Sequence, residues 1–231
     1  MIFRSEPMAA LPTGTVNFLF TDIEGSTKLW QQVPREMRLA VARHDALLRA
    51  AIEAHRGYVF KTVGDAFCAA FDTAADALDA TIELQRAVLA EPWQLPRPIR
   101  VRAAFHTGEA EERDADYFGP ALNRVARMLS LGHGGQSLVS LVSAELVRDT
   151  LPEGVSLRDM GARRLKDLMR PETVYQLDIA GLPDAFPALK SIDLHPHNLP
   201  LQPTALIGRE REVAAIEALV LDPEARLVTL T

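Results

Sequence analysis

The sequence predicts an α+β fold, arranged as an α/β sandwich, and three observations carry this prediction. Short runs of β-branched and aromatic residues have the length of strands. Two longer segments repeat apolar residues at the spacing of a helix. A Gly-Asp pair at 64–65 separates two of the strand-like runs, as a hairpin turn does. Strands and helices therefore alternate along the first half of the 231-residue chain.

The first core elements follow from local signals in chain order. An apolar run predicts a strand at 15–21. A helix is predicted at 34–55, because Pro34 suits a first helical turn and Gly57 suits the position after a helix end. Two strands are then predicted as a hairpin at 58–71.

The core closes with a second helix and a fourth strand. The helix is predicted at 73–90 and stops before Pro92. The strand is predicted at 99–107, where apolar residues alternate with Arg100 and Arg102. This order, β-α-β-β-α-β, is that of a ferredoxin-like core. The predicted C-terminal additions are a helix that opens at Pro120, a strand near 136–140, a short helix at 143–150, and strands near 160–166 and 173–179.

Composition limits the classes of protein that the chain can be. Hydrophobic residues make up 48% and charged residues 24%, which suits a packed core rather than disorder. The net charge of −6 argues against general nucleic-acid binding. The single Cys68 can form no internal disulfide, so we expect a small core residue in a reduced compartment. No apolar run has the length of a membrane span and no secretion signal is evident, so a cytoplasmic protein is expected.

The most informative motif is Val16-Asn-Phe-Leu-Phe-Thr-Asp-Ile-Glu-Gly-Ser-Thr-Lys-Leu29. Its strand runs into Asp22, and a carboxylate at the end of a buried strand needs a partner. A metal ion is the usual partner, and the turn that follows offers backbone N–H groups to phosphate. The alternative is an aspartate that caps the next helix.

A second carboxylate lies in the hairpin turn Val63-Gly64-Asp65-Ala66, four residues after Lys61. Two aspartates at strand ends, with no obvious partner other than a cation, suit Mg²⁺ or Mn²⁺. Taken alone, Asp65 is equally an ordinary turn residue, and Lys61 a charge that protects a strand edge.

The third motif is Asp116-Tyr-Phe-Gly-Pro-Ala-Leu-Asn-Arg-Val-Ala-Arg-Met-Leu129. Asn123 and Arg127 are one helical turn apart, so they share one side of the predicted helix. An amide and a guanidinium on one side suit an anionic ligand, and a solvated face is the alternative. The acidic residues around Asp116 are expected to form a solvated loop. The predicted apolar stripe of this helix consists of Leu122, Val125, Ala126 and Leu129.

Together these segments resemble the catalytic domain of class III nucleotidyl cyclases, from about residue 13 to residue 179. Six separated positions match in type and order, which makes the resemblance specific: Asp22, Lys61, Asp65, Asp116, Asn123 and Arg127. The resemblance implies that Asp22 and Asp65 hold two divalent cations, Mg²⁺ or Mn²⁺. It also implies that Lys61 and Asp116 contact the adenine base.

The same resemblance implies roles for the remaining candidates. Asn123 would position the ribose, and Arg127 would stabilise the charge that develops on the phosphates. The backbone of Ile23, Glu24 and Gly25 would contact the triphosphate, and the Ile23 carbonyl would also reach a metal. Lys166 would be a further phosphate-binding lysine.

The activity that the resemblance implies is that of an adenylate cyclase, which converts ATP to cyclic AMP and pyrophosphate. The metal aspartates would come from one subunit and the other residues from its partner, so a homodimer with two shared sites is expected. Lys61 as a donor suits adenine N1, and Asp116 as an acceptor suits the N6 amino group. The alternatives are a guanylate cyclase and a non-catalytic module for ATP sensing or dimerisation, although none of the six matching residues is lost.

Four regions are expected along the chain. Residues 1–12 form an N-terminal extension, and residues 13–180 form the catalytic domain. Five prolines make residues 181–204 a linker. Residues 205–231 resemble the start of a P-loop ATPase-like domain that stops before its phosphate-binding loop.

Overall fold

The computed structural model describes residues 11–166, 168, 170–190, 214, 216–218 and 221. The chain divides into two compact units, residues 1–194 and 195–231. In the second unit, residues 214 and 216–218 are helical. The strands of the first unit are β1 Gly14–Ile23, β2 Tyr58–Val63, β3 Ala66–Phe71, β4 Val101–Arg113, β5 Asp116–Phe118, β6 Ser137–Ser140, β7 Val155–Arg163 and β8 Glu172–Ile179. Its helices are α1 Ser26–Gln32, α2 Pro34–Ala54, α3 Ala74–Ala90, α4 Pro120–Leu131 and α5 Leu141–Val147, and a 3-10 turn follows at Arg148–Thr150.

The strands form a mixed sheet in the order β2-β3-β1-β4-β6-β8-β7, and β5 pairs with β4 beside this path. Strands β4 and β6 run parallel, and the other described pairs are antiparallel. The part from β1 to β4 is the predicted ferredoxin-like core, and the later elements are its additions. The predicted α+β fold is therefore confirmed.

Two apolar cores lie on opposite faces of the sheet. Side chains alternate along a strand, so Leu19 and Ile23 of β1 join the core beneath α2, α3 and α5. Phe18 and Phe20 point to the other face, where α4 packs. Asp22 follows Phe20 by two residues and is partly exposed on the same face as α4. The end of β1 therefore places its carboxylate at an open part of this face.

Several predicted boundaries are shifted. The predicted strand at 160–166 is β7, which begins at Val155, and its register slips between Asp159 and Ala162. The predicted helix at 143–150 begins at Leu141, because the Ser140 side chain caps its N-terminus. The fourth strand extends to Arg113, beyond the predicted end.

The acidic segment near Asp116 was expected to be a loop, but it is a hairpin. Glu111 and Glu112 belong to β4 and pair with β5. The turn residues Asp114 and Ala115 both have positive φ, 55° and 60°. This is the backbone that a two-residue hairpin turn needs, although glycine is absent from it.

Two predictions from composition can be compared with the described residues. Cys68 lies in β3 with 8% of its surface exposed, which confirms a small core residue. None of the described helices is long and apolar enough to cross a bilayer. The predicted P-loop ATPase-like segment falls mainly on residues outside the described part of the chain.

Candidate active site

The end of β1 and the β2–β3 turn bring the two candidate metal ligands together. The backbone N–H of Ile23 donates to Oδ2 of Asp65 at 3.1 Å. Asp22 is the residue before Ile23, so both carboxylates border the same short stretch of backbone. The sequence separates Asp22 and Asp65 by 43 positions, and the antiparallel pairing of β1 with β3 closes that distance.

Asp22 has a partner that the sequence analysis did not identify. Arg102 of β4 lies opposite Asp22 in the antiparallel register. Its Nε donates to Oδ2 of Asp22 at 3.1 Å, and its Nη2 makes a second hydrogen bond to the same oxygen. The expectation that Asp22 has no obvious partner other than a metal cation was therefore wrong. The alternation of Arg100 and Arg102 was visible in the sequence, but the strand opposite them was not.

The donor set suits a hard divalent cation. Carboxylate and carbonyl oxygens are the ligands that Mg²⁺ and Mn²⁺ prefer. Asp22 and the Ile23 carbonyl at the end of β1, and Asp65 in the β2–β3 turn, supply such oxygens. The guanidinium of Arg102 already places positive charge against Asp22. Within the described residues, no group of three or more His, Cys, Asp or Glu could hold a metal.

A β-bulge positions Lys61 on the same face of the sheet. The pairing of β2 with β3 shifts between Val59 and Lys61, so Phe60 is an extra residue. Phe60 packs on the α4 side of the sheet, and Lys61 lies opposite Cys68. Because of the bulge, Phe60 and Lys61 both lie on the face of the sheet where α4 packs.

Packing of the aromatic residues next to Lys61 and Asp116 brings these two side chains together. Phe60 and Tyr117, the neighbours of these two residues, meet edge-to-face with ring centroids 4.9 Å apart. Tyr117 is 2% exposed, and its hydroxyl donates to the Pro12 carbonyl at 2.8 Å. β5 is therefore fixed against β2 by a buried ring rather than by strand pairing.

The Lys61 ammonium and the Asp116 carboxylate form a direct ion pair. The hydrogen bond from Lys61 lowers the pKa of Asp116, and a second bond from the Tyr117 N–H, 2.8 Å long, acts in the same direction. The pair is partly exposed, with 47% of the Lys61 side chain and 24% of the Asp116 side chain accessible. A donor and an acceptor thus stand side by side where a ligand can reach both.

Helix α4 follows β5 after one residue, Gly119, whose φ of 140° favours glycine. Asn123 is exposed and Arg127 is half-buried, one turn apart on this helix. The predicted apolar stripe is displaced, since Ala126 is exposed and only Val125 of the four is fully buried. The buried residues are Ala121, Val125, Met128 and Leu131.

The cause of this rotation is a close approach between α4 and β4. A Cβ on Gly108 of β4 would lie 3.0 Å from the Ala121 Cβ. The helix therefore turns its small residue to the sheet, and the larger Leu122 and Leu129 pack at the sides. The spacing of apolar residues along α4 cannot predict so close an approach to β4, so the predicted stripe was displaced.

Two of the remaining candidates lie in the turn after β1. Gly25 has a φ of 69°, and its carbonyl accepts a hydrogen bond from Arg97 Nη2 at 3.1 Å. Glu24 is half-buried and contacts Lys190 and His133. Lys166 is exposed beyond the end of β7. Its role as a phosphate-binding lysine stays a prediction.

Comparisons with known proteins agree with this geometry. The family model of the adenylate and guanylate cyclase catalytic domain matches residues 8–178. An uncharacterised protein of Mycobacterium tuberculosis is 41% identical over 206 residues, which are 88% of this chain and 70% of that protein. The adenylate cyclase of Neurospora crassa is 28% identical over 272 aligned residues, which are 94% of this chain but 12% of that protein.

A solved structure shares the fold. An adenylate cyclase from Trypanosoma brucei, determined in its monomeric state, superposes with a TM-score of 0.69 at 29% identity. The match covers 78% of this chain and 96% of that one. The resemblance inferred from the six motif residues is therefore confirmed for the domain as a whole.

Proposed function

The chain belongs to the family of adenylate and guanylate cyclase catalytic domains, and we propose that it is an adenylate cyclase that forms cyclic AMP and pyrophosphate from ATP. The observation that carries the choice of base is the pair of Lys61 and Asp116. When the two side chains separate around a base, the ammonium can donate to adenine N1 and the carboxylate can accept from the N6 amino group. In the same pose guanine presents an N–H to Lys61 and a carbonyl to Asp116, so both contacts are unfavourable.

The reaction needs one bond to form and one to break at the α-phosphorus. The 3′-hydroxyl oxygen of the ribose attacks it, and the bond to the bridging oxygen of the pyrophosphate breaks. Asn123 positions the ribose for this attack, and Arg127 stabilises the negative charge that grows on the phosphates. A correctly placed donor of this kind contributes about 2.7–4 kcal/mol. The hydroxyl proton leaves to substrate or water, since none of these side chains is placed as a general base.

Class III cyclase domains use divalent metal ions, and in this chain Asp22, Asp65 and the Ile23 carbonyl would hold them. Two such cations, when bound, would neutralise the triphosphate and lower the pKa of the attacking hydroxyl. Arg102 would then release Asp22, and its guanidinium would become available to the phosphate oxygens. The N–H groups of Glu24 and Gly25 would contact the same phosphates.

The candidate residues fall into two groups, which supports a shared site. Asp22 and Asp65 meet at the end of β1, whereas Lys61 and Asp116 meet at β2 and β5, and Asn123 and Arg127 follow on α4. In a symmetric homodimer, the first group of one subunit would face the second group of its partner. Each dimer would then contain two equivalent sites.

The direct test is to incubate the full chain with ATP and Mn²⁺ and to measure cyclic AMP by chromatography. GTP in place of ATP tests the choice of base, and Asp65→Asn serves as the inactive control. Cyclic GMP as the main product would support a guanylate cyclase. Binding of ATP without turnover would support a non-catalytic module.

The shared site has its own test. Asp22→Ala and Asn123→Ala homodimers should each be nearly inactive. In a mixed dimer, one site receives both damaged residues and the other receives neither, so mixing should restore activity. Specific activity should also fall on dilution as dimers dissociate. No rescue, with heterodimers verified by mass spectrometry, would refute the shared site.

A further inference from the structure

The segment after β8 is attached to the catalytic domain along its length. Residues 181–190, here called the C-terminal strap, were expected to begin a linker. The Gln176 side chain donates to the Asp184 carbonyl at 2.7 Å, and Arg158 contacts the Asp184 carboxylate at 3.4 Å. Further along, the Leu189 side chain is 3% exposed within the core beneath α4. The strap therefore packs as part of the domain.

The strap ends beside the turn that follows β1. The backbone N–H of Lys190 donates to the Leu131 carbonyl at 3.0 Å, at the end of α4. Its ammonium donates to the Gly132 carbonyl at 3.1 Å and to Oε1 of Glu24 at 3.3 Å. His133 adds a hydrogen bond from Nε2 to the Ala188 carbonyl at 3.0 Å. These contacts fix the Lys190 ammonium against Glu24.

The Glu24 side chain contacts three residues of this region. Lys190 pairs with its carboxylate. The Nδ1 atom of His133 lies 3.9 Å from the same carboxylate. Gly134 approaches so closely that a Cβ there would meet the Glu24 Cβ at 3.0 Å and the Arg100 Cβ at 2.7 Å.

The position of this carboxylate matters because Glu24 belongs to the turn that would bind the triphosphate. The Glu24 N–H donates to the Arg100 carbonyl at 3.0 Å, so the backbone of the turn is tied to β4. An uncompensated carboxylate next to phosphate would repel it. Lys190 opposes that repulsion, because its ammonium pairs with Glu24 and with the Gly132 carbonyl at the end of α4.

We propose that Lys190 is a positioning residue for nucleotide binding, which acts through Glu24 on the turn at 23–25. This inference rests on the proposed function, because it assigns the turn to the triphosphate. Lys190 contacts Glu24 rather than the reacting atoms, so its loss should weaken ATP binding more than it slows the chemical step.

The test compares Lys190→Met, Lys190→Arg, Glu24→Gln and the double variant Glu24→Gln/Lys190→Met in the full chain. Lys190→Met should raise KM for Mn²⁺–ATP about two- to fivefold, the range for a partly exposed ion pair, with kcat nearly unchanged. Lys190→Arg should restore the wild-type KM. In the Glu24→Gln background, Lys190→Met should have no further effect. Asp184→Asn is the matched control, because it removes a charge of the same strap that pairs with Arg158, and it should leave KM unchanged.

Two outcomes would overturn the proposal: an equal KM increase in both Glu24 backgrounds, or the same increase for Asp184→Asn. A readout that needs no turnover separates this proposal from the proposed function. Hydrogen exchange of the amides at 23–26 should be faster in Lys190→Met than in wild type, and unchanged in Asp184→Asn. If wild type makes no cyclic nucleotide, the proposed function fails, whereas equal exchange rates in all variants would refute the role of Lys190.

Discussion

Replacement of Lys61 by methionine should separate nucleotide recognition from folding. Methionine keeps most of the aliphatic stem and removes the ammonium, so the packing of Phe60 and Tyr117 is retained. The variant leaves Asp116 without its hydrogen-bond partner and without the donor that we assign to adenine N1. The pKa of Asp116 should rise toward its ordinary value, because Lys61 is the largest cause of its lowering.

The structure sets different magnitudes for the two effects. The ion pair is partly exposed, with 47% of Lys61 and 24% of Asp116 accessible, and such pairs stabilise a fold by about 0.2–1 kcal/mol. A hydrogen bond from a charged donor to a bound base contributes about 1.5–3 kcal/mol. The second value corresponds to a decrease of about 10- to 150-fold in kcat/KM for ATP. Activity should therefore fall much more than stability.

The assay combines urea denaturation with initial rates for ATP and for GTP. Lys28→Met is the matched control, since Lys28 is an exposed lysine of α1. Its replacement should change neither stability nor activity by much. A Lys61→Met variant whose kcat/KM for ATP stays within about twofold of wild type would refute the base assignment. A loss of several kcal/mol in stability would show that the pair is structural.

Three further predictions concern buried groups. Burial lowers the pKa of His106 from 6.5 to about 4, so unfolding takes up a proton between these values; from about pH 7.5 to about pH 5, wild type should lose about 2 kcal/mol more unfolding free energy than His106→Gln, and parallel profiles would contradict this. Gly57→Ala places a Cβ 2.6 Å from Ile52 Cγ2 and Phe71 Cζ, so urea unfolding should show a loss of about 1–3 kcal/mol, and an unchanged midpoint would mean that the site has room. Burial raises the pKa of the Cys68 thiol to about 11, so alkylation near neutral pH should require unfolding, and rapid labelling of the native protein would disprove the burial.

The sequence was sufficient for features that depend on local pattern. The aspartate in the last two residues of β1, the Gly-Asp hairpin and the Pro34 helix each have a signature within a few residues, and each is present. The proximity of Lys61 and Asp116 could also be predicted, because the family resemblance implies that both contact the same adenine base.

Features that depend on distant parts of the chain were missed. Arg102 reaches Asp22 only because β4 lies beside β1 in one register, and nothing local to either residue specifies that register. The rotation of α4 depends on Gly108 of another strand. The strap contains prolines that suit a linker, but its attachment comes from Leu189 and Lys190, which find partners far away in sequence.

The strap is continuous with the residues that lead to the second unit, 195–231, and this has a thermodynamic consequence. An event that removes Lys190 from Glu24 would lower the affinity for ATP by the factor predicted for Lys190→Met. Because such coupling is reciprocal, bound ATP opposes that event by the same factor. If Lys190 acts as proposed, nucleotide occupancy and the attachment of the strap would therefore be linked, with a coupling of about two- to fivefold.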